Sequence, residues 1–185
     1  MSKPIEDPAK VRLKNVRLSF PKLFKAEAVQ KGQEPKFSAS FLLNKKDDAA
    51  QIELIKSAIE KVKKSKWGDT IPKGVKLCLH DGSEKEEHDG YDDTLMFISS
   101  SAARRPVVVD KDIRPLTAED GKPYAGCYVN CTIRLWAQDN DFGKRVNAEL
   151  CAVQFARDGE EFSGKPKINA EDEFTSLEDD EDDLG

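Results

Sequence analysis

The sequence predicts a mainly β domain, a small closed antiparallel sheet with one intervening helix and an acidic tail. Three observations carry this reading. Five or more segments alternate apolar and polar residues with period two. One stretch, beginning after Asp47 or Asp48, repeats apolar residues every three or four positions. Residues 169–185 hold nine acids and no base. Strands and helices do not alternate at regular spacing, which argues against a doubly wound α/β fold.

The elements follow in chain order. In VRLKNVRLSF (11–20), Val11 and Leu13 face one way, and Val16, Leu18 and Phe20 resume the alternation out of phase, as in a bulged strand. KFSASFLLN (36–44) places Phe37, Ala39, Phe41 and Leu43 on one face and Lys36, Ser38 and Ser40 on the other. The helix runs to about Ser65, with Ile52, Ile55, Ile59 and Val62 on its apolar stripe. Lys56, Lys61, Lys63, Lys64 and Lys66 occupy its other sides and its C-terminal end, where cations suit the helix dipole. VKLCL (75–79) returns to extended chemistry, and the charged stretch from His80 to Asp93 reads as an exposed, mobile loop. TLMFISS (94–100) and PVVVD (106–110) are further strands. A hairpin closes the series, with strands at 126–138 and 145–157 joined by a turn through DNDFGK.

The net charge of -5 conceals an asymmetry. Without the nine tail acids the body carries +4, and residues 1–80 alone hold 18 bases against nine acids. No apolar run of about 18 residues predicts a membrane span, and the start, MSKPIEDPAK, lacks a secretory pattern. A cytosolic chain with reduced thiols is expected, because its four cysteines form no CxxC pair.

The strand at 127–137 is the most informative. Period two sends Cys127, Val129, Cys131, Ile133, Leu135 and Ala137 into the core. The other face carries Tyr128, Asn130, Thr132, Arg134, Trp136 and Gln138, rings beside an arginine with no carboxylate, as an unpaired base and its phosphate require. Packing of the two rings under a second layer is the alternative. A competing enzyme reading starts from His80, Asp81, His88, Asp89, Asp92 and Asp93, a loop that could hold a divalent metal for phosphodiester cleavage. A zinc site from Cys78, His80, His88 and another cysteine is a further alternative; Cys127 and Cys131 do not easily share a metal, because their side chains stand about 13 Å apart along a strand. No phosphate loop, nucleophile elbow or HExxH pair occurs. No metal or cofactor is expected. A third reading makes the polyanionic tail the active part, as a mimic of DNA.

Taken together, VRLSFPKLF (16–24), GQEPKFSASFLLNKKD (32–47), KWGDTIPKGVKLCLHDGSE (66–84), PVVVD (106–110), YAGCYVN (124–130) and LCAVQFARDGEEFSG (150–164) resemble a family of tailed-phage single-stranded DNA-binding proteins. The resemblance implies an OB-fold type antiparallel β-barrel over residues 1–168 that binds single-stranded DNA without sequence preference. It also implies a disordered acidic C-terminal tail over 169–185 and no catalytic role. Many tails of this kind end in an aromatic residue, whereas Leu184 and Gly185 are last here and Phe174 lies inside.

The stacking candidates are Tyr128, Trp136 and Phe97, with Tyr91 and Trp67 behind them. The phosphate candidates are Arg12, Lys14, Arg17, Lys36, Arg104, Arg105, Arg134, Lys144 and Arg145. Phe174, Asp179, Asp180, Glu181, Asp182, Asp183 and Leu184 are expected to compete with DNA and to dock replication or recombination proteins. A homodimer is an open option, and the expected location is the cytoplasm of an infected bacterial host.

Overall fold

The computed structural model describes residues 7, 9–28, 30–162 and 170–177. Eight strands and one long helix make up the body: β1 (Lys10–Glu27), β2 (Lys36–Asn44), α1 (Ala49–Trp67), β3 (Lys76–Leu77), β4 (Leu79–Asp81), β5 (Leu95–Ala102), β6 (Val107–Val109), β7 (Tyr128–Asn140) and β8 (Gly143–Arg157). The sheet runs β3-β8-β7-β1-β2-β5-β4, and a parallel contact between Ser101 of β5 and Glu149 of β8 closes it. The result is a five-stranded barrel of β8, β7, β1, β2 and β5, with β6 lying against β8. It is the OB-type barrel the sequence predicts.

The bulge expected in β1 is present, and it is one of three register shifts along the strand. Asn15 and Phe20 have φ of 53° and 47°, and the register shifts between Leu13 and Val16 against β7 and between Ser19 and Lys22 against β2. The first shift lets both Leu13 and Val16 face inward. The second overturns one expectation: Phe20 leaves the inward row of Val16 and Leu18 and turns outward, joining Leu42, Tyr91, Phe97 and Phe162 in a separate apolar cluster. A hydrophobic alternation cannot reveal this, because the positive φ reverses the side chain's direction without any change of residue type.

The main core is built from Val11, Leu13, Val16 and Leu18 of β1, Phe41 and Leu43 of β2, Ile98 of β5, and the inward rows of β7 and β8. Ile52, Ile55, Ala58 and Ile59 of α1 enter the same core, so the helix plugs the barrel against β7, β1, β2 and β8. Asp48 stands at the helix N-terminus; its carboxylate accepts from the Asn44 amide at 2.9 Å and from Gln51 Nε2 at 3.2 Å.

The stretch 80–93, expected to be an exposed mobile loop, is folded onto the barrel. Gly82–Lys85 form a 3₁₀ turn whose N-cap, Asp81, accepts from the Ser83 amide at 3.0 Å. Tyr91 is fully buried, and its hydroxyl donates to Ser19 Oγ at 2.8 Å. Burying rings such as Tyr91 and Phe97 is worth roughly 1.5–3 kcal/mol each, enough to hold a segment whose charges point outward. As a consequence β2 is covered on both faces, which its alternating sequence does not suggest: Ser40 and Leu42 are buried along with Phe41 and Leu43.

Within the expected tail, Ala170–Glu173 form one helical turn and Phe174 and Leu177 are exposed. Asp179, Asp180, Glu181, Asp182, Asp183 and Leu184 lie outside the described residues.

Candidate nucleic-acid interface

Residues that stand opposite each other across a ladder point to the same side of the sheet. Lys22 faces Ser38, Ser38 faces Ser101, Ser40 faces Ser99, and Lys76 faces Arg145. This outward row becomes the floor and walls of an open groove of about 820 Å³. Half-buried Ser38, Ser99 and Ser101 give it a small, polar floor, with the buried Ser40 and Ser100 beneath, while Lys22, Lys76, Lys85, Arg145, His80 and Phe20 stand around it. Serines keep the floor low enough for a chain to lie on, and the walls supply cations. Among the described residues Glu27 is the one carboxylate lining the groove, and it pairs with Lys22 at 3.0 Å.

One end of the groove rests on the second apolar cluster. His80 stacks on Phe97 with ring centroids 5.1 Å apart and planes at 23°. Lys85 Nζ lies 5.4 Å from the Phe20 centroid, 5.2 Å from Phe97 and 6.0 Å from Tyr91. Aromatic faces thus hold this ammonium in place of a carboxylate, leaving its charge available to an anion. At the other end Asn147 lines the groove and stands opposite Trp136, which is 45% exposed. Trp136 therefore continues the same outer face, flanked on its own strand by Arg134 and Gln138.

The structure places the predicted residues unequally. Of the phosphate candidates, Arg145 lines the groove, and Lys36 stands opposite Glu27 at its margin. Arg12 and Lys14 line a different, smaller recess with Asn130, Thr132 and Gln154. Arg134 pairs with Asp7 at 2.8 Å. Lys144 is exposed beside the hairpin turn, and Arg104 and Arg105 are exposed between β5 and β6, the latter 5.5 Å from the Phe24 ring.

Arg17 serves the fold. It donates to Gly126 O at 2.9 Å and to Glu160 O at 2.6 Å and covers the Phe162 ring at 4.1 Å. Tyr128 is half-buried, with the Arg157 guanidinium 3.7 Å from its ring centroid, so a face that would take a base already holds a cation.

Phe97 must be withdrawn as a stacking residue: it is 2% exposed, and the 80–93 segment covers it. Tyr91 is withdrawn for the same reason. Trp67, at the end of α1, donates its indole N–H to Asp139 at 2.9 Å.

Sequence reasoning missed Lys22, Lys76 and Lys85 and assigned His80 to metal chemistry. One signal was available for Lys85 and His80: a tyrosine, Tyr91, directly after Gly90 inside an otherwise charged stretch marks an anchored segment rather than a free loop.

Three carboxylates of that segment, Asp81, Glu84 and Asp92, are engaged in local contacts. Asp81 accepts from Lys45 Nζ at 2.6 Å as well as from Ser83, and these bonds pull its pKa down to about 2. Asp92 caps the Thr94 amide at 2.8 Å, and Glu84 pairs with His80 Nδ1 at 3.0 Å. Among the described residues no three histidines, cysteines or carboxylates come together as a metal-binding group. Burial pushes the Cys78 thiol up to about 12 and the Cys127 thiol to about 11, and raises Cys131 as well. These cysteines behave as small core residues, not as thiolate ligands.

Comparison with known proteins identifies the family and the fold. Residues 9–184 match the family model described as Enterobacter phage Enc34, ssDNA-binding protein. A protein designated p50, of Acyrthosiphon pisum secondary endosymbiont phage 1, is 42% identical over 177 residues, covering 91% of this chain and 94% of that one. The single-stranded DNA-binding protein of bacteriophage Enc34 in complex with ssDNA is similar in structure, with a TM-score of 0.76 and 28% identity over 88% of this chain and 97% of that one. Bacteriophage T7 gp2.5 shares the fold at a TM-score of 0.54 and 15% identity, over 91% of this chain and all of its own. With a family model matched along nearly its whole length, the chain belongs to the Enc34 phage ssDNA-binding protein family.

Proposed function

We propose that this protein binds single-stranded DNA without sequence preference and without catalysis, in phage replication or recombination. The observation that carries the reading is the open groove lined by Lys22, Lys76, Lys85 and Arg145 over a serine floor. Cations at the walls neutralise successive phosphates, and release of their counterions drives association. Trp136 offers an exposed ring on the same face, where a base can stack whatever its identity. The floor's hydroxyls are small and repeated, so they favour a strand's passage over the reading of any one base. The Enc34 protein, solved with ssDNA, supports the choice of ligand.

The acidic segment 169–185 acts as a tethered competitor for the same groove and, once displaced by DNA, as the docking peptide for replication or recombination proteins. Its nine acids and the body's +4 charge support this role. Tethering holds the tail at an effective concentration of roughly millimolar.

A titration of poly-dT, followed by fluorescence of the two tryptophans at several salt concentrations, tests the reading. Affinity falls log-linearly with salt, by roughly 0.7 in slope for each phosphate neutralised, and changes little when poly-dA replaces poly-dT. Salt-independent affinity, or a strong preference for one short sequence, contradicts it. Residues 1–168 bind more tightly than the full chain at low salt, and the difference shrinks as salt screens the exchanged charges. Equal or weaker binding by the truncated chain removes the tail's competitive role.

A further inference from the structure

His80 occupies a position in the groove that its neighbours make chemically specific. Its ring lies nearly parallel on the buried Phe97, so one imidazole face is backed by the protein while its half-buried side chain lines the groove. We propose that His80 is a base-stacking and phosphate-attracting residue of the groove, and that its protonation strengthens binding of single-stranded DNA as pH falls. The proposal rests on the reading of the groove as the DNA site.

Stacking needs a flat ring held from behind, and Phe97 supplies the support. Imidazole is the one side chain that gains a positive charge between about pH 5 and 8. Charges of both signs surround the ring. Glu84 meets Nδ1 at 3.0 Å, and Asp81, next in the chain, is already bonded to Lys45. Lys85 Nζ lies 5.2 Å from the centroid of the same Phe97 ring, and Lys76 and Arg145 line the groove. A phosphate arriving between these cations competes with Glu84 for the imidazolium and adds one contact to the backbone track. Because linkage is reciprocal, DNA that prefers the protonated form must raise the imidazole's affinity for its proton.

The chain contains only two histidines, so the effect can be assigned. His88 is the other. It sits edge-on against Phe20 at 5.1 Å and next to Glu87, outside the groove lining.

The test uses the full chain and dT oligonucleotides, because thymine does not titrate in this range. Affinity and its salt slope are measured between pH 5.5 and 8 for the wild type, His80→Phe and His80→Ala, and the imidazole titration is followed by NMR with and without dT. In the wild type, binding strengthens as pH falls, and the salt slope at pH 5.5 exceeds that at pH 8 by about 0.7. His80→Phe keeps the stack and loses the pH dependence. His80→Ala loses both, with affinity weakened about fivefold or more. The His80 resonances titrate at higher pH in the complex. If dT binds with a pH-independent slope, or His80→Ala binds as the wild type does, the role of His80 is overturned while the groove stands. If dT does not bind at all, the groove reading fails first.

Discussion

The guanidinium of Arg17 lies 4.1 Å from the ring centroid of Phe162 while donating to the carbonyl oxygens of Gly126 and Glu160. These contacts clasp the stretch after β8 onto β1. Phe162 in turn packs so closely on Gly90 that a Cβ there would lie 2.3 Å from the ring, and Gly90, at φ +90°, already has a conformation side chains rarely adopt. The end of the barrel, the 80–93 segment and the groove wall it carries are therefore one packed unit.

Arg17→Ala should lower folding stability by about 1–3 kcal/mol, because two carbonyl groups lose a charged donor. Affinity for single strands, measured per folded molecule, should change little. A full loss of binding in a chain that unfolds at the wild-type denaturant midpoint would return Arg17 to the phosphate track.

Trp136 and Leu135 are neighbours with opposite duties. Trp136→Ala should weaken binding of dT by about 1–3 kcal/mol and leave stability nearly unchanged. Leu135→Ala, at a position 2% exposed, should instead cost about 2–5 kcal/mol of stability. Chemical denaturation and a fluorescence-independent binding assay on both variants distinguish the two faces.

The barrel was legible in the sequence because most of its strands bury one side. The rows Cys127 to Leu135 and Val11 to Leu13 show it by alternation alone, and α1 by its Ile52, Ile55 and Ile59 spacing. The groove was not legible. Its walls come from Lys22, Lys76, Lys85 and Arg145, which ladder register and a folded loop bring together from distant parts of the chain. Phe97 shows the same limit from the other side. Its strand is covered on both faces, and only the fold reveals that residues 80–93 provide the second cover.

Asp81 links acid sensitivity to the groove. Its bonds to Lys45 and Ser83 hold its folded pKa at about 2, below the ordinary 3.8. A carboxylate with a depressed folded pKa contributes stability that is present above its unfolded pKa and is lost as pH falls towards the folded one. Between about pH 4 and pH 2 the 80–93 segment should loosen, and Asp81→Asn should reproduce the loosening at neutral pH. Hydrogen exchange of the Ser83 amide measures it, and unchanged protection in the variant would contradict the assignment.

Thiol chemistry reports on the core. Cys78, Cys127 and Cys131 are buried with raised pKa values, whereas Cys151 is partly exposed, its thiol raised by partial burial and by Glu149 beside it. Iodoacetamide at pH 8 should modify Cys151 first in the native chain and the other three only after denaturant is added. Mass spectrometry of the labelled peptides gives the order.

The most direct test sets two pairs of cations against each other at equal change of charge. Lys76→Gln with Arg145→Gln removes two cations of the groove, and Arg12→Gln with Lys14→Gln removes two from the separate recess. Poly-dT affinity is measured for both double variants across salt concentration. The account predicts that the groove pair loses affinity and that its log–log salt slope falls by about 1.4, at roughly 0.7 per lost phosphate contact, while the recess pair stays near the wild type. Equal losses in the two variants, or a loss confined to the recess pair, would contradict the assignment of the groove.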